Sequence, residues 1–299
     1  MIRIVPLSIL LPAAALSSAP LFAADAPAKL ELTNPFFAFD NGTGRGVLLP
    51  EEQAKMLDEL GYDGIGYTGT AGIPKMLAAL DRHGLKMFST YVGVNVDDPE
   101  KPYDPGLPAA IEQLEWRPTA LWLTLRGGKP SSDERDEQAV KILRELADMA
   151  AESGIRVVLY PHVGFYVAKT EDALRLAEKA DRPNVGVAFN LCHFLKLDDA
   201  KNIEPLLKRA MPRLFLVSIN GADAGDTRAM GWDRLIQTLD RGSFDVYEVL
   251  VTLRRLGYTG PIGLQCYNVK GDRRENLERS IGAWRGFEKR MAAEQSSAR

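Results

Sequence analysis

Short apolar runs alternate with amphipathic segments along most of the chain. Residues 155–159 and 185–189 are rich in β-branched side chains and are flanked by turn formers, whereas Glu171–Ala180 between them has helical spacing. This pattern predicts a strand, a helix and a second strand, with the helix crossing over to join two parallel strands.

The same alternation recurs on both sides of this unit. Strands are predicted at 36–40, 63–67, 86–92, 120–125, 155–159, 185–189, 214–219 and 261–266. Helices are predicted at 50–60, 73–83, 108–114, 133–152, 171–180, 203–210, 246–256 and 274–290. About eight repeats of strand and helix are typical of a closed (β/α)8 TIM barrel, and residues 25–299 are predicted to form it as a single domain. An open doubly wound sheet is the alternative, but no G-x-G-x-x-G follows the first strand.

The first 24 residues differ from the rest of the chain. They combine Arg3 with a short apolar run and small residues that end in Leu-Phe-Ala-Ala. This composition predicts a secretory signal peptide cleaved near Ala23 or Ala24, and hence a periplasmic or secreted protein without a membrane segment in its mature form. A permanent membrane anchor is the alternative, but Pro6 and Pro12 interrupt the run, which is short for a spanning helix.

Charge and cysteine content exclude some classes of function. The net charge of -3 gives no basic surface for nucleic acid, so no nucleic-acid partner is expected. The two cysteines, Cys192 and Cys266, could form one disulfide, but strand alternation favours buried free thiols.

Polar side chains collect where the later strands end, which in a barrel is the face that carries the chemistry. Of the three histidines in the chain, His162 and His193 follow strands five and six. They are the only groups near the predicted mouth that titrate near neutral pH, so they are the candidate acid and base. Asp40 at the end of strand one is the third catalytic candidate, with turn capping as its alternative role.

Other residues near the strand ends are candidates for binding substrate. Hydroxyl-rich ligands need mixed donors and acceptors, which are offered by Tyr160, Asn190, Ser218, Asn220, Gln265, Tyr267 and Asn268. Arg126 and Lys196 could contact a carbonyl or an anion, with Arg45 as a weaker candidate. Trp122, Phe165, Tyr166 and Trp232 could stack on a sugar ring or pack in the core.

These residues carry a resemblance to a known family. GYDGIGYTG, LYPHVGFY, RPNVGVAFNLCH and YTGPIGLQCY resemble the strand ends of the xylose isomerase-like TIM-barrel superfamily, which contains sugar isomerases and epimerases and the type-IV apurinic endonucleases. The resemblance covers essentially the whole mature chain.

The resemblance implies a divalent metal held by a Glu after strand five, an Asp and a His after strand six, a His on strand seven and a Glu after strand eight. At these positions the chain has Tyr160, Asn190, His193, Ser218 and Gln265, so only the histidine of strand six is kept. Neutral side chains do not compensate the charge of a buried divalent ion. No cofactor is therefore expected, although manganese, cobalt or zinc stays an alternative through the two histidines with Asp223 or Asp226.

Together these features predict an exported enzyme similar to sugar isomerases and epimerases. It would move protons next to the carbonyl of a small carbohydrate, and a free sugar is expected because sugar phosphates are cytoplasmic. The alternatives are a lyase or hydratase that acts on an oxidised sugar or glycoside, and a barrel that binds sugar without catalysis. The missing metal ligands and the acidic charge disfavour a nuclease, and association of two barrels into a homodimer stays open.

Overall fold

Eight parallel strands close into a barrel in sequence order in the computed structural model, which describes residues 31–297. The strands are β1 Phe36–Phe39, β2 Gly64–Thr68, β3 Lys86–Asn95, β4 Ala120–Arg126, β5 Arg156–Leu159, β6 Val185–Asn190, β7 Leu214–Ile219 and β8 Ile262–Leu264. Closure is completed by pairing of β1 with β8. The predicted TIM barrel is therefore confirmed, and the open sheet is wrong.

Helices surround the barrel. They are α1 Asp40–Thr43, α2 Pro50–Leu60, α3 Ile73–Arg82, α4 Leu107–Gln113, α5 Asp136–Glu152, α6 Thr170–Ala180, α7 Leu191–Leu197, α8 Ile203–Ala210, α9 Trp232–Leu235, α10 Val246–Arg255 and α11 Arg273–Ser297. Three of them, α1, α7 and α9, were not predicted. Helices α1 and α9 have four residues each and are too short to show helical periodicity, whereas the apolar residues of α7 follow the apolar run of β6 with only Asn190 between them.

Strand β8 is shorter than the sequence predicts, which changes how its last residues are arranged. The chain turns directly after Leu264, and the side-chain oxygen of Gln265 accepts hydrogen bonds from the backbone N–H groups of Cys266 and Tyr267 at 3.0 and 3.1 Å. Gln265 is 6% exposed, whereas Tyr267 is 58% exposed. The period of two ends with the strand, so Gln265 and Tyr267 differ in burial although both line the same cavity.

The apolar residues form two layers. One layer lies between the strands and the surrounding helices. The other fills the inside of the barrel and is dominated by aromatic rings: Phe37, Phe39, Phe88, Ala120, Trp122, Val158, Tyr160, Ala188 and Leu216. The barrel is thus a packed core with its open end at the carboxyl ends of the strands.

Two strand glycines make room for this aromatic interior. A Cβ atom on Gly66 of β2 would lie 2.3 Å from the ring of Phe39. A Cβ atom on Gly263 of β8 would lie 2.6 Å from Phe37 and 2.7 Å from Phe39. The phenylalanine rings therefore occupy the space that side chains at these positions would fill.

Both cysteines are free thiols, as predicted; Cys192 is buried, whereas Cys266 is only half-buried. Burial raises the pKa of each to about 12, so neither ionises near neutral pH. No helix within residues 31–297 has the length and apolar character needed to cross a membrane. The predicted signal peptide, residues 1–24, lies outside the described residues.

Candidate active site

A cavity of about 490 Å³ opens at the carboxyl ends of the strands. Its walls come from β1 to β4 and the segment after β1, from the segment after β5, from α7, from the turn after β8 and from α9 and the residue that follows it. The lining residues are Phe39, Asp40, Asn41, Arg45, Thr68, Tyr91, Trp122, Tyr160, His162, Val163, His193, Trp232, Ile236, Gln265 and Tyr267. The structure thus brings together all three candidate catalytic residues.

Tyr160 lies at the centre of a small hydrogen-bonded group. Its hydroxyl oxygen is 3.1 Å from the Asn190 amide nitrogen and 3.0 Å from Nε2 of His193. Its ring stacks on Trp122, with ring centroids 3.8 Å apart. Burial raises the pKa of the Tyr160 phenol well above its usual range, with hydrogen bonding to Gln265 acting in the opposite direction, so the phenol stays protonated near neutral pH.

Helix α7 sets the positions of Asn190 and His193. Asn190 is the N-cap residue of α7, and its side-chain oxygen accepts hydrogen bonds from the backbone N–H of His193 and the thiol of Cys192. These contacts orient the amide nitrogen of Asn190 toward Tyr160. The capping that starts the helix therefore also orders the polar group.

The two cavity histidines have different surroundings. Nδ1 of His162 lies 3.0 Å from the carbonyl oxygen of Val163 and must donate to it, which leaves Nε2 as the acceptor. Burial lowers the pKa of His162. Burial lowers the pKa of His193 well below its usual range, and the neighbouring His162 adds to this effect. Both imidazoles are neutral near pH 7, and the free Nε2 makes His162 the better general base.

Asp40 lies across the barrel from His162. Its Oδ1 accepts hydrogen bonds from Thr68, at 2.8 Å, and from Arg45, at 3.2 Å. Its Oδ2 is buried and has no hydrogen-bond partner among the described residues. Burial raises the pKa of Asp40, although Thr68 and Arg45 oppose the rise, so Asp40 accepts a proton more readily than an exposed carboxylate does.

Aromatic rings form the floor of the cavity. Phe39 stacks on Trp122 with centroids 4.5 Å apart, and Trp122 stacks in turn on Tyr160. The indole nitrogen of Trp122 is buried without a partner in residues 31–297, as is the side-chain oxygen of Asn41. Buried polar atoms without partners are costly, so these two atoms and Oδ2 of Asp40 leave the hydrogen bonding of the cavity-lining residues incomplete.

Three predicted binding residues lie behind the cavity wall. Asn190 contacts Tyr160 but does not line the cavity. Ser218 is fully buried, and its hydroxyl has no partner among the described residues. The amide nitrogen of Asn220 donates to the carbonyl oxygens of Gly221 and Leu235, so it holds the segment after β7.

Three others lie away from the cavity lining. Lys196 donates to the carbonyl oxygens of Arg228 and Met230, which secures the segment before α9. Asn268 is exposed in a left-handed conformation, and its side-chain oxygen accepts from Lys270. Arg126 is exposed at the end of β4. The structure does not place these side chains with Tyr160, His162 and His193.

Several lining residues were missed or given little weight in the sequence. Thr68 ends β2, Tyr91 lies in β3, and Asn41 follows Asp40. Arg45 reaches back from the glycine-rich loop to Asp40 and Thr68. The signal for Thr68 was its position at a strand end, which is the same signal that identified Ser218.

The donor set does not fit a divalent metal. The described residues contain no group of three or more His, Cys, Asp or Glu side chains that could hold one. Nδ1 of His193 accepts from the backbone N–H of Val163, at 3.4 Å, and its Nε2 faces Tyr160, so both ring nitrogens are engaged. Asp223, the alternative ligand, is hydrogen-bonded to Arg234. The neutral side chains at the other positions offer no charge to offset a cation.

Comparison with known proteins agrees with the fold and the strand-end motifs. A family model described as xylose isomerase-like TIM barrel matches residues 54–287. The chain belongs to this family. The resemblance identified in the sequence is thereby confirmed.

One curated enzyme is similar to part of this chain. A 3-dehydroshikimate dehydratase from Pseudomonas aeruginosa PAO1 is 30% identical over 129 residues, which make up 42% of this chain and 20% of that enzyme. The match therefore spans about a fifth of that relative's length.

Solved structures show the same barrel at low identity. The 3-keto-D-glucoside 4-epimerase of E. coli has a TM-score of 0.69 and 18% identity, covering 85% of this chain and 99% of that one. The IolI protein, solved with a bound zinc atom, has a TM-score of 0.67 and 15% identity, covering 86% of this chain and 99% of that one. At these identities the likeness concerns the fold.

Proposed function

We propose that this protein is an exported carbohydrate-active enzyme that moves a proton next to the carbonyl group of a neutral, hydroxyl-rich substrate, as an isomerase or epimerase. The observation that carries the proposal is the pair of proton carriers on opposite sides of one cavity, with Asp40 after β1 and His162 after β5. The volume of about 490 Å³ lies within the usual range of small-ligand sites.

Two proton carriers on opposite sides suit epimerisation. One removes a proton from the carbon next to the carbonyl, and the C–H electron pair forms the double bond of an enolate. The other returns a proton to the opposite face of the same carbon, which inverts its configuration. His162, neutral near pH 7, suits the first role. Asp40 has the second role in its protonated form, which its burial favours over an exposed carboxylate, and after turnover the proton taken by His162 returns to Asp40 through solvent.

The charge of the cavity favours a neutral substrate. Arg45 is the only Lys or Arg side chain among the cavity-lining residues of the described chain, and it is hydrogen-bonded to Asp40 and Thr68. A phosphorylated sugar would need an unpaired cation or a group of backbone N–H donors. The predicted signal peptide supports the same conclusion, since exported enzymes meet unphosphorylated sugars.

A lyase is the second candidate, and the similarity to a 3-dehydroshikimate dehydratase favours it. The first proton transfer would be the same. The enolate would then expel a β-hydroxyl group as water, with the proton for the leaving oxygen supplied by the second carrier. Oxidised sugars, keto-glycosides and cyclic hydroxy-ketones all have the required C–H, carbonyl and β-oxygen.

Exchange of substrate hydrogen with solvent tests the proposal. The mature protein would be incubated in D₂O with free ketoses, aldoses, 3-keto-glycosides and 3-dehydroshikimate, and deuterium in the products would be followed by NMR. An epimerase incorporates deuterium at the inverted carbon, whereas a lyase gives an unsaturated product with strong ultraviolet absorbance.

Matched histidine variants separate catalysis from binding. His162→Ala should abolish exchange but keep ligand-induced thermal stabilisation. His83→Ala is the control, because His83 caps α3 and pairs with Asp58 and Glu51 at the surface. Binding of a sugar without exchange by the wild type would instead indicate a barrel that binds sugar without catalysis.

A further inference from the structure

We infer that the hydroxyl group of Tyr160 takes the place of a divalent cation in this barrel and donates the hydrogen bond that stabilises the substrate's carbonyl oxygen. The inference rests on the proposed function and adds to it a specific electrophile. The residues at the expected ligand positions after β5, β6 and β8 are Tyr160, Asn190, His193 and Gln265, and the last three surround the phenolic oxygen of the first.

The proton of Tyr160 is identified by counting hydrogen bonds. A phenolic oxygen has two acceptor sites and one proton. Because Oδ1 of Asn190 caps α7, its Nδ2 donates to Tyr160. Because Nδ1 of His193 accepts from Val163, its Nε2 carries the hydrogen and also donates to Tyr160. Gln265 also faces this oxygen as a donor, because its own Oε1 accepts from Asn41, Cys266 and Tyr267. All of these neighbours are donors, so the Tyr160 proton is not used by any of them.

That proton is available to a ligand. Tyr160 lines the cavity, and no acceptor for its hydroxyl is recorded among the described residues. The two N–H groups that donate to its oxygen polarise the O–H bond and strengthen its donation. Near neutral pH the phenol keeps its proton and His193 is uncharged, so the group supplies a directed donor without a net charge.

The ring is held in a fixed position. Trp122 stacks on one face of Tyr160, and Tyr91 packs against it edge to face with centroids 5.9 Å apart. A donor whose position is fixed before the substrate binds needs no reorganisation during the reaction. This arrangement is the one expected of a group that stabilises developing negative charge.

The reaction balances without a metal or a redox partner. As the base removes the proton next to the carbonyl, the C–H pair forms the carbon–carbon double bond and the carbonyl π pair moves onto oxygen. The Tyr160 hydroxyl hydrogen-bonds to that oxygen and keeps its own proton. Reprotonation of carbon restores the carbonyl, and Tyr160 ends unchanged.

Tyr160→Phe is the direct test, because it removes the hydroxyl but keeps the ring that stacks on Trp122. Loss of one such donor should lower kcat by roughly 10²–10³-fold. The KM for substrate should change much less. The thermal unfolding midpoint should fall, because the buried N–H groups of Asn190 and His193 lose their acceptor, so kcat is compared at a temperature at which the variant is folded. The control is Tyr103→Phe, which removes a hydroxyl bonded to Glu145 outside the cavity and should leave kcat unchanged.

Activity that depends on a divalent metal ion would contradict the inference. Wild-type activity should survive dialysis against EDTA and should not rise with added manganese, cobalt, zinc or magnesium. Loss of activity on dialysis, restored by one equivalent of any of these ions, would overturn the inference. An active Tyr160→Phe variant would overturn it as well while leaving the proposed function intact, whereas a wild type without any exchange would remove both.

A second measurement serves if Tyr160→Phe does not fold. Biosynthetic replacement of tyrosine by 3-fluorotyrosine keeps the shape of the side chain and lowers the pKa of the phenol. If Tyr160 must stay protonated, the alkaline limb of kcat/KM should move to lower pH in the fluorinated protein. An unmoved limb would count against the inference.

Discussion

At the scale of single residues, similar polar side chains near the strand ends have different roles because their neighbours differ. His193 is nearly fully buried with both ring nitrogens engaged, so it orients Tyr160. His162 is half-buried and lines the cavity, and its Nε2 has no hydrogen-bond partner among the described residues. Positioning is therefore expected of the first and proton transfer of the second.

The pH dependence of activity should reflect the protonation of His162. Burial lowers its pKa below the usual 6.5, so the neutral form that accepts a proton is populated throughout the range above 6.5. We expect the acid limb of kcat/KM to lie below pH 6.5 and to be set by His162, because activity is lost as this group becomes protonated. An acid limb above pH 6.5 in the wild type would contradict this assignment.

The hydroxyl group of Thr68 should influence the pKa of the Asp40 carboxyl group. This hydroxyl donates to Oδ1 of Asp40 at 2.8 Å, which favours the ionised carboxylate. Thr68→Val should therefore raise the pKa of Asp40 further, measured by carbon-13 NMR titration of the carboxyl group. Thr90→Val is the control, because Thr90 bonds to the carbonyl oxygen of Gly69 and should leave the Asp40 titration in place.

Residue type and strand-end position predicted part of the site. They identified Asp40, Tyr160, His162, His193 and Gln265, because strand ends converge at one face of a barrel. The same signal selected Asn220 and Lys196, which instead bond to backbone carbonyls. The conformation of the folded loops decides which backbone carbonyl oxygens lie within hydrogen-bond distance of these side chains. No local sequence pattern predicts that distance.

At the scale of elements, α7 is the one that the site depends on most. It begins directly after β6, and the side chain that ends the strand caps the helix. The sequence predicted the neighbouring β6 and α6 because both are long enough to show a period. It missed α7 because Leu191–Leu197 follows β6 directly, and only Asn190 separates its apolar residues from the apolar run of the strand.

Substitutions of Asn190 should separate its two roles, which are capping of α7 and hydrogen bonding to Tyr160. Asn190→Ala removes both contacts and should destabilise the protein by about 0.5–2 kcal/mol, besides lowering turnover. Asn190→Ser restores a capping oxygen but not the donor to Tyr160, so thermal stability should recover more than kcat does. Equal recovery of both would indicate that Asn190 acts only through the helix.

Asp245 offers a matched cap without a role in the site. It is the N-cap residue of α10 and accepts from the backbone N–H of Glu248 at 3.3 Å. Asp245→Ala should lower stability by a similar amount, about 0.5–2 kcal/mol, with kcat unchanged. Urea unfolding together with steady-state kinetics would compare the two caps.

At the scale of the whole molecule, the barrel joins an aromatic interior to a polar mouth. The rings of Phe39 and Trp122 belong both to the packed interior and to the floor of the cavity. Strand periodicity predicted the barrel, because apolar runs buried on both faces are typical of parallel sheets. It could not predict the ring stack, which depends on register between strands distant in the chain.

Because the aromatic rings belong to both the interior and the cavity floor, substitution of a strand glycine that contacts them should affect both stability and turnover. Gly263→Ala would place a methyl group within 2.7 Å of the rings of both Phe37 and Phe39. Overpacking of this kind should cost about 1–3 kcal/mol. Because Phe39 stacks on Trp122, and Trp122 on Tyr160, the shift should also reach the hydroxyl of Tyr160 and lower turnover.

Gly282→Ala is the control with the opposite expected sign. Gly282 lies in α11 and is exposed. A Cβ atom added at this position would have no neighbouring atom within 4 Å. Alanine there should stabilise the protein by about 0.5–1 kcal/mol through its higher helix propensity, with unchanged kcat. If Gly263→Ala lowered stability but left kcat at the wild-type value, the aromatic stack would be structural support alone, and the position of Tyr160 would be set by Asn190 and His193.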